Sequence, residues 1–332
     1  MNDRKIPVVL AAGADFIVPT YISIYSMLKN ADPDRMIDVY VFSPGDYSND
    51  AVVWLKDLEK KFQNARITIV DMGDKYRDVN IKLAHVRYPT FYRLSIPQIL
   101  SQYDKCIYLD SDVVVEGNIA EYYDIDMEGF CIAGARDIGF SEKESIERMK
   151  LLNIDSMDTY INSGSLLMNL KEIRAMHIED ALEQGAYKYY PCVDQDVFNS
   201  LCFGKVKVIS LKYNAMTRYT YYGNKECREI YGEEYYFEAV KQPVVVHYIG
   251  GKVKPWVSRF VLAGSLWWKY VNELNVDERK TFVNPFITEC KPSLRLKSAV
   301  LGSSLLKKIG LYDGIMKVMK ETGIFKKIKK RL

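Results

Sequence analysis

The chain contains the tripeptide Asp-x-Asp four times, beginning at Asp32, Asp110, Asp124 and Asp194. Each alone is explained by a solvated turn, because aspartate side chains hydrogen-bond readily to their own backbone there. Asp110-Ser111-Asp112 differs in its setting. The apolar run Cys106-Ile107-Tyr108-Leu109 leads into it, and Val113-Val114-Val115 leads out. Two carboxylates at the end of a buried strand repel each other unless a cation neutralises them. Carboxylate oxygens suit a hard dication such as Mg²⁺ or Mn²⁺. A second chemical group is His247, which ends the run Pro243-Val244-Val245-Val246 and precedes Tyr248-Ile249-Gly250 and Lys254-Pro255-Trp256. Such a histidine is either a satisfied core residue or a ligand. Beside a carboxylate pair it would favour Mn²⁺ over Mg²⁺. Lys254 could offer a point charge to a phosphate.

These groups need a scaffold, and the first half of the chain reads as one. Ile6–Ala12, Ile37–Phe42 and Arg66–Asp71 have strand patterns, as does the run before Asp110. Between them, Ile17, Tyr21, Ile24 and Leu28 form one helical stripe, and Val52, Leu55, Leu58 and Phe62 another. Strands separated by helices of this length predict βαβ units and a mainly parallel sheet, with ligands bound beyond the carboxyl ends of the strands. Gly13-Ala14-Asp15 and Asp110-Ser111-Asp112 both fall at such ends. Later, Phe130–Ala135, Val206–Leu211 and Pro243–His247 read as strands. Tyr219–Phe237 reads as a long surface excursion without period.

Composition narrows the class. With 332 residues, 48% hydrophobic and 27% charged, the chain can bury a sizeable core. It has no apolar run of the roughly 18 residues needed to span a bilayer. Six scattered cysteines suggest neither a zinc site nor a disulfide framework, and so a cytoplasmic setting. Residues 297–332 hold ten Lys and Arg against Asp313 and Glu321, a surplus of eight positive charges that leaves the preceding residues at −5 within the overall +3. An acidic body argues against nucleic acid as partner. In the tail, Ile324, Phe325, Ile328 and Leu332 alternate with lysines and Arg331, the pattern of an amphipathic helix on an anionic membrane.

At this point the chain resembles glycosyltransferase family 8, retaining nucleotide-sugar transferases of the GT-A fold that include bacterial lipopolysaccharide galactosyl- and glucosyltransferases and glycogenin. The likeness rests on Leu10-Ala11-Ala12 through Tyr25-Ser26-Met27, Thr90-Phe91-Tyr92-Arg93-Leu94, Ile107 through Asp112, Tyr160 through Leu170, Asp194 through Asn199, and His247-Tyr248-x-Gly with Lys-Pro-Trp. Together these span residue 6 to about 256, and their order carries the specificity. The resemblance implies a Rossmann-like α/β domain with a mixed sheet over residues 1–260, followed by a basic helical region, 261–332. It implies Mn²⁺ on Asp110, Asp112 and His247, bridging the diphosphate of a UDP-hexose. Ala11, Ala12 and Asp15 would hold the uridine, with Ser111 also on the donor side. Arg93, Asp137, Asn162, Asp194 and Gln195 would surround the sugar, Gln195 nearest the anomeric carbon, and Gly250 and Lys254 would bind the diphosphate. The acceptor would be a saccharide or glycolipid of the cell surface, reached from the inner face of the membrane. Two positions depart from the pattern. Gly13 stands where relatives often carry aspartate, and the stretch from His247 to Lys254 is one residue longer, which brings Lys252 forward as a second phosphate lysine.

Plainer readings apply to several of these residues. Asn162-Ser163-Gly164 can be a turn before the apolar run Leu166–Leu170. Asp194-Gln195-Asp196 can cap a helix beginning near Val197, and Asp137 can pair with Arg136 at the surface. Trp267-Trp268 reads as a packing pair. A phosphatase of the haloacid dehalogenase type would also place Asp-x-Asp-x-Val after an apolar strand, with Asp110 as nucleophile and Mg²⁺ as ion. It leaves His247 and Lys254 without a task. A non-catalytic carbohydrate-binding protein would have no need of the Asp110, Asp112 and His247 set.

Overall fold

Strand β1 (Lys5–Ala11) realises the first apolar run, with Ile6, Val8, Val9 and Leu10 fully buried. It is followed by β2 (Met36–Ser43), β3 (Ala65–Asp71), β4 (Lys105–Leu109), β5 (Val113–Val115), β6 (Ile132–Gly134), β7 (Ser165–Asn169), β8 (Val206–Val208), β9 (Ala215–Met216) and β10 (Val245–His247). The computed structural model describes residues 5–82, 86–220, 225–250, 254–258 and 261–289. Lys252 and the basic tail, 297–332, lie outside them. The described residues fall into two compact units. One holds the chain up to Ala215 together with Lys225–His247, and the other holds Met216–Asn224 and the residues from Tyr248 onward.

In the first unit the main sheet has the order β3-β2-β1-β4-β7-β6-β8. β1 runs parallel to both β2 and β4, so the strand order reverses at β1 and opens a crevice beyond its carboxyl end. β7 is the exception to the parallel arrangement predicted from the alternating pattern: it runs against β4, with Ile107 opposite Leu167, and against β6. Hydrophobic pattern reports burial and carries no strand direction, so the reversal was invisible in it. Helix Ile17–Lys29 is buried from Val18 to Leu28, on more than the stripe read from its spacing. Helix Asn49–Lys61 begins where the Ser48 side chain accepts from the Ala51 N–H, and it buries Leu55 and Leu58 against the sheet.

The tyrosine-rich stretch read as an irregular excursion is largely helical, with helices Thr217–Thr220, Lys225–Tyr231 and Glu233–Lys241. Cys227 and Ala239 are fully buried. The strand after Lys205 is shorter than expected and gives way to a 3₁₀ turn, Leu211–Asn214.

A smaller sheet matters more for the site. Its antiparallel pair β5–β10 sets Val113 opposite His247, Val114 opposite Val246 and Val115 opposite Val245. The strand that leaves Asp112 is thus paired with the strand that ends on His247. Helix Ile17–Lys29 fixes β5 in place, for the Val115 N–H donates to Ser26 Oγ at 2.9 Å and the Val115 carbonyl accepts from Asn30 Nδ2 at 2.8 Å.

In the second unit, Trp267 is fully buried, with ring centroids 5.1 Å from Trp268 and 5.6 Å from Trp256, and the Trp268 indole donates to the Pro255 carbonyl at 3.1 Å. The tryptophan pair is packing, as its apolar neighbours predict. Among the described residues no helix is long and apolar enough to cross a membrane.

Ser26→Ala removes the buried bond that anchors β5. It is expected to lower unfolding free energy by about 1 kcal/mol, read as a shift of the urea midpoint without change in slope.

Candidate active site

Asp110 follows the last residue of β4, and Asp112 precedes the first of β5. One sharp turn therefore sends both carboxylates to the same side, and the β5–β10 register brings His247 to meet them. His247 Nε2 lies 3.1 Å from Asp112 Oδ1 and 3.7 Å from Asp110 Oδ2. One ligand atom from each of the three lies within 4.8 Å of the others. Two carboxylates and an imidazole nitrogen at such separations fit a divalent metal with open positions for further ligands. The histidine is 3% exposed. Its Nδ1 lies 2.9 Å from Asn214 Oδ1, leaving Nε2 to face the carboxylates.

Gly164 makes this convergence possible. A Cβ at residue 164 would overlap His247 Cε1 and come within 2.6 Å of Asp110 Oδ2. Its carbonyl accepts from the Asp110 N–H at 2.8 Å. Asn162-Ser163-Gly164 is therefore more than a turn before β7: its backbone forms one wall of the candidate metal site.

Beside these ligands a cleft opens at the carboxyl ends of β1 and β4. It is lined by Ala11, Ala12, Gly13, Asp15, Phe16, Thr90, Arg93, Asp110, Ser111 and Asp112, among others. Asp15 stands in a 3₁₀ turn, Ala14–Phe16, directly after β1. A Cβ at Gly13 would lie 3.2 Å from Asp15 Oδ1 and 3.3 Å from Asp46 Oδ2. Asp46 already accepts from the Ala14 N–H. An aspartate at position 13 would add a third negative charge there, a physical reason for the glycine. Ser111 Oγ is buried and has no hydrogen-bond partner among the described residues.

Arg93 is the cation under this floor, 4% exposed. Its guanidinium donates to Asp110 Oδ1 at 2.7 Å and to the Ser163 carbonyl at 2.8 Å, pairs with Asp194 Oδ2 at 3.2 Å and lies over the Tyr108 ring. Tyr108 also donates to Asp110 Oδ1, at 2.9 Å. One oxygen of Asp110 is thus occupied from below while the other faces His247. Burial raises the carboxyl pKa of Asp194 above its ordinary value, against the pull of Arg93 and the bonds from Ser163 and Thr90.

Gln195 sits at the centre of an amide network. Its Nε2 donates to Asp137 Oδ2 at 2.7 Å and to the Tyr160 hydroxyl at 3.1 Å. Its Oε1 accepts from Asn162 Nδ2 at 3.0 Å and from the Ser163 N–H at 3.2 Å. Asp137 does not pair with Arg136, which reaches Asp158 instead at 3.0 Å. Burial raises the Asp137 carboxyl pKa, while its bonds from Gln195 and Asn162 oppose the shift. The helix carrying these residues is Val193–Leu201, so Asp194-Gln195-Asp196 lie in its first turn rather than capping a later start. Asp196 is fully buried, bonded by Tyr160 at 2.6 Å and by the Cys192 N–H at 2.7 Å, and paired with Arg148.

Asp110, Asp112, His247, Arg93, Asp137, Asn162, Asp194 and Gln195, all singled out from the sequence, meet in the first unit. Gly250 and Lys254 belong to the second. There Gly250 adopts φ +103°, and the buried Lys254 donates to the Tyr248 carbonyl. Sequence reading missed Asn214, Tyr160 and Arg148 as supports of the site. Tyr160 at least adjoins the Asn162 segment, whereas Asn214 ends a 3₁₀ turn with nothing in its neighbourhood to signal a role.

A mixed α/β sheet with a carboxylate–histidine cluster at its strand ends is the architecture of the GT-A fold. A family model described as Glycosyl transferase family 8 matches residues 7–259, and the chain belongs to that family: it is a glycosyltransferase. Among curated relatives it is similar to General stress protein A of Bacillus subtilis, 26% identical over 70% of this chain and 81% of that one. It is also similar to glycosyltransferase GlyF of Streptococcus pneumoniae, 26% identical over 79% of this chain and 60% of the relative. A lipopolysaccharide 1,2-glucosyltransferase of Escherichia coli is 27% identical over 50% of this chain, which spans about half of the relative's length, 49%. Among solved structures, the bifunctional glycosyltransferase WbbM superposes with TM-score 0.71 at 22% identity, covering 87% of this chain and 52% of that one. The galactosyltransferase LgtC, in complex with donor and acceptor sugar analogs, gives 0.64 at 22% identity over 82% and 99%. These structural likenesses establish the fold. The family match does not favour the phosphatase or the non-catalytic reading.

Gly164→Ala places a methyl group against both His247 and Asp110. It is expected to cost about 1–3 kcal/mol of stability and at least about tenfold in divalent-metal affinity. Urea unfolding and metal titration of the same preparation measure the two effects.

Proposed function

We propose that this glycosyltransferase moves a hexose, galactose or glucose, from a UDP-sugar to a saccharide or glycolipid acceptor of the cell surface, with retention at the anomeric carbon and with Mn²⁺ (Mg²⁺ also serving). One observation carries this reading: Asp110, Asp112 and His247 converge beside a cleft that begins at Ala11, Ala12 and Asp15. Asp110, Asp112 and His247 would hold the ion, which when bound offsets the negative charge that gathers on the departing diphosphate. Ala11, Ala12 and Asp15 would take the nucleoside end, and Ser111 the donor side. Gly250 and Lys254 would add phosphate contacts. Arg93 holds Asp110 in place through their ion pair at 2.7 Å, and Asp137, Asn162, Asp194 and Gln195 would enclose the sugar.

The hydrogen bonds bear on how the acceptor attacks. Both hydrogens and both lone pairs of the Gln195 carboxamide are engaged by Asp137, Tyr160, Asn162 and Ser163. The Asp194 carboxylate is engaged by Ser163, Thr90 and Arg93. Neither presents a free nucleophile. This favours front-face displacement over a double displacement: the acceptor oxygen bonds to the anomeric carbon as the bond to the diphosphate oxygen breaks, and that oxygen takes the acceptor's proton.

Residues 1–260 would form the catalytic domain. The basic region within 261–332 would hold the enzyme peripherally on the inner face of an anionic membrane, where a lipid-linked acceptor is reached.

Incubation with Mn²⁺ and UDP-galactose or UDP-glucose should release UDP slowly by donor hydrolysis, and Asp110→Ala should reduce that release by about 100-fold. Phosphate release from simple phosphomonoesters with Mg²⁺, without UDP release, would refute the transferase reading. In liposome flotation with phosphatidylserine vesicles, the full chain should float and a chain ending at residue 296 should stay below. Equal flotation of both removes the membrane role.

A further inference from the structure

We infer that Asn214 is a positioning residue that fixes the tautomer of His247 and ties it, through a one-way chain of hydrogen bonds, to the orientation of Gln195. The inference rests on the proposal that His247 holds a metal, and goes beyond it by assigning a task to a residue outside the ligand set.

The direction of each bond follows from backbone donors, which cannot reverse. The Ser163 N–H lies 3.2 Å from one terminal atom of Gln195, so that atom is the carbonyl oxygen. Asn162 meets the same oxygen at 3.0 Å and must present its amide nitrogen. The opposite end of Asn162 is then its oxygen, and the Gly164 N–H donates to it at 3.1 Å, an independent check. Asn214 approaches that oxygen at 2.9 Å and must therefore donate as well. This turns the Asn214 oxygen toward His247 Nδ1, 2.9 Å away. A carbonyl oxygen cannot donate, so Nδ1 carries a hydrogen, and in the neutral imidazole the lone pair is on Nε2, the nitrogen that faces Asp110 and Asp112. At its far end the chain continues from Gln195 Nε2 to the Tyr160 hydroxyl and from that hydroxyl to Asp196, an acceptor anchored by Arg148. Every donation from His247 to Asp196 runs the same way.

Asn214 is fully buried and ends the Leu211–Asn214 turn, so a firm backbone holds it at the junction. Asparagine suits the task, since one planar group offers an acceptor to the imidazole and a donor to Asn162. Outer partners of metal-bound histidines commonly set ring orientation and basicity in this manner.

The first test needs no variant. The chain has three histidines, so imidazole nitrogen NMR of the metal-free protein can read the neutral form of each. His247 should be the Nδ1–H tautomer, and an Nε2–H tautomer overturns the inference. The second test compares Asn214→Leu and Asn214→Asp by Mn²⁺ titration, followed by the EPR signal of the free ion without nucleotide. Asn214→Leu, folded by circular dichroism, should lose about 10–100-fold in Mn²⁺ affinity. Asn214→Asp retains an acceptor for Nδ1–H and should stay within about threefold of wild type. It can no longer donate to Asn162, and should release UDP about tenfold more slowly. Retained metal affinity with lost turnover is the signature of the chain. Wild-type affinity in Asn214→Leu, or equal loss in both variants, overturns the proposal, and if Asn214→Leu does not fold, the tautomer and Asn214→Asp decide. Failure of the wild type to take up Mn²⁺ at all instead removes the metal reading itself, and is visible before any variant is compared.

Discussion

Mutual repulsion of carboxylates governs this site. Asp110 and Asp112 face one point, Asp194 lies on the other side of Arg93, and water is largely excluded from the floor beneath them. Negative charges so close destabilise one another unless counter-charge is supplied. The protein supplies part of it through Arg93, which engages Asp110 and Asp194 together. Much of the neighbouring design keeps that guanidinium in place: the Thr90 and Ser163 carbonyls accept from it, and the Tyr108 ring lies against its face. The remaining negative charge is directed toward His247 and the cleft, where a divalent cation would neutralise it.

Around this charged centre the chain uses neutral groups at very close range. Gly164 lets the backbone pass where no side chain fits, and its carbonyl and N–H both take part in holding Asp110 and Asn162. Amides then carry orientation outward. Asn214, Asn162 and Gln195 each accept on one end and donate on the other, so the polarity of the network propagates without adding charge to a crowded region. A buried network of this kind gains stability only when every member is satisfied. The ionic bond between Arg148 and Asp196 closes its far end.

Much of the fold could be read from the residues. The run Ile6–Ala12, the stripe from Ile17 to Leu28 and the apolar residues before Asp110 each became the element their spacing predicts, because burial imposes a period on the sequence. The setting of Asp110-Ser111-Asp112 separated it from three similar tripeptides for the same reason. Periodicity did not carry strand direction, which came only with the mixed sheet that the family resemblance implies, nor the helices of the tyrosine-rich stretch. The reversed strand β7 carries the same apolar pattern as a parallel one, and helices Lys225–Tyr231 and Glu233–Lys241 lie in the tyrosine-rich stretch that read as an irregular excursion. Asp137 next to Arg136 looked like a local pair, whereas the chain turns one toward Asp158 and the other toward Gln195.

By itself the sequence determined the chemical inventory: which carboxylates end a buried strand, which histidine ends another, and the ordered segments that mark family 8. These are local properties, set by residue type and period. Only the tertiary structure decided which of them meet. The pairing of Val113 with His247 joins residues more than a hundred positions apart, and no local pattern encodes the register of an antiparallel pair between distant strands. The same holds for Asn214, an unremarked residue in a short turn whose importance arises from lying 2.9 Å from both His247 and Asn162.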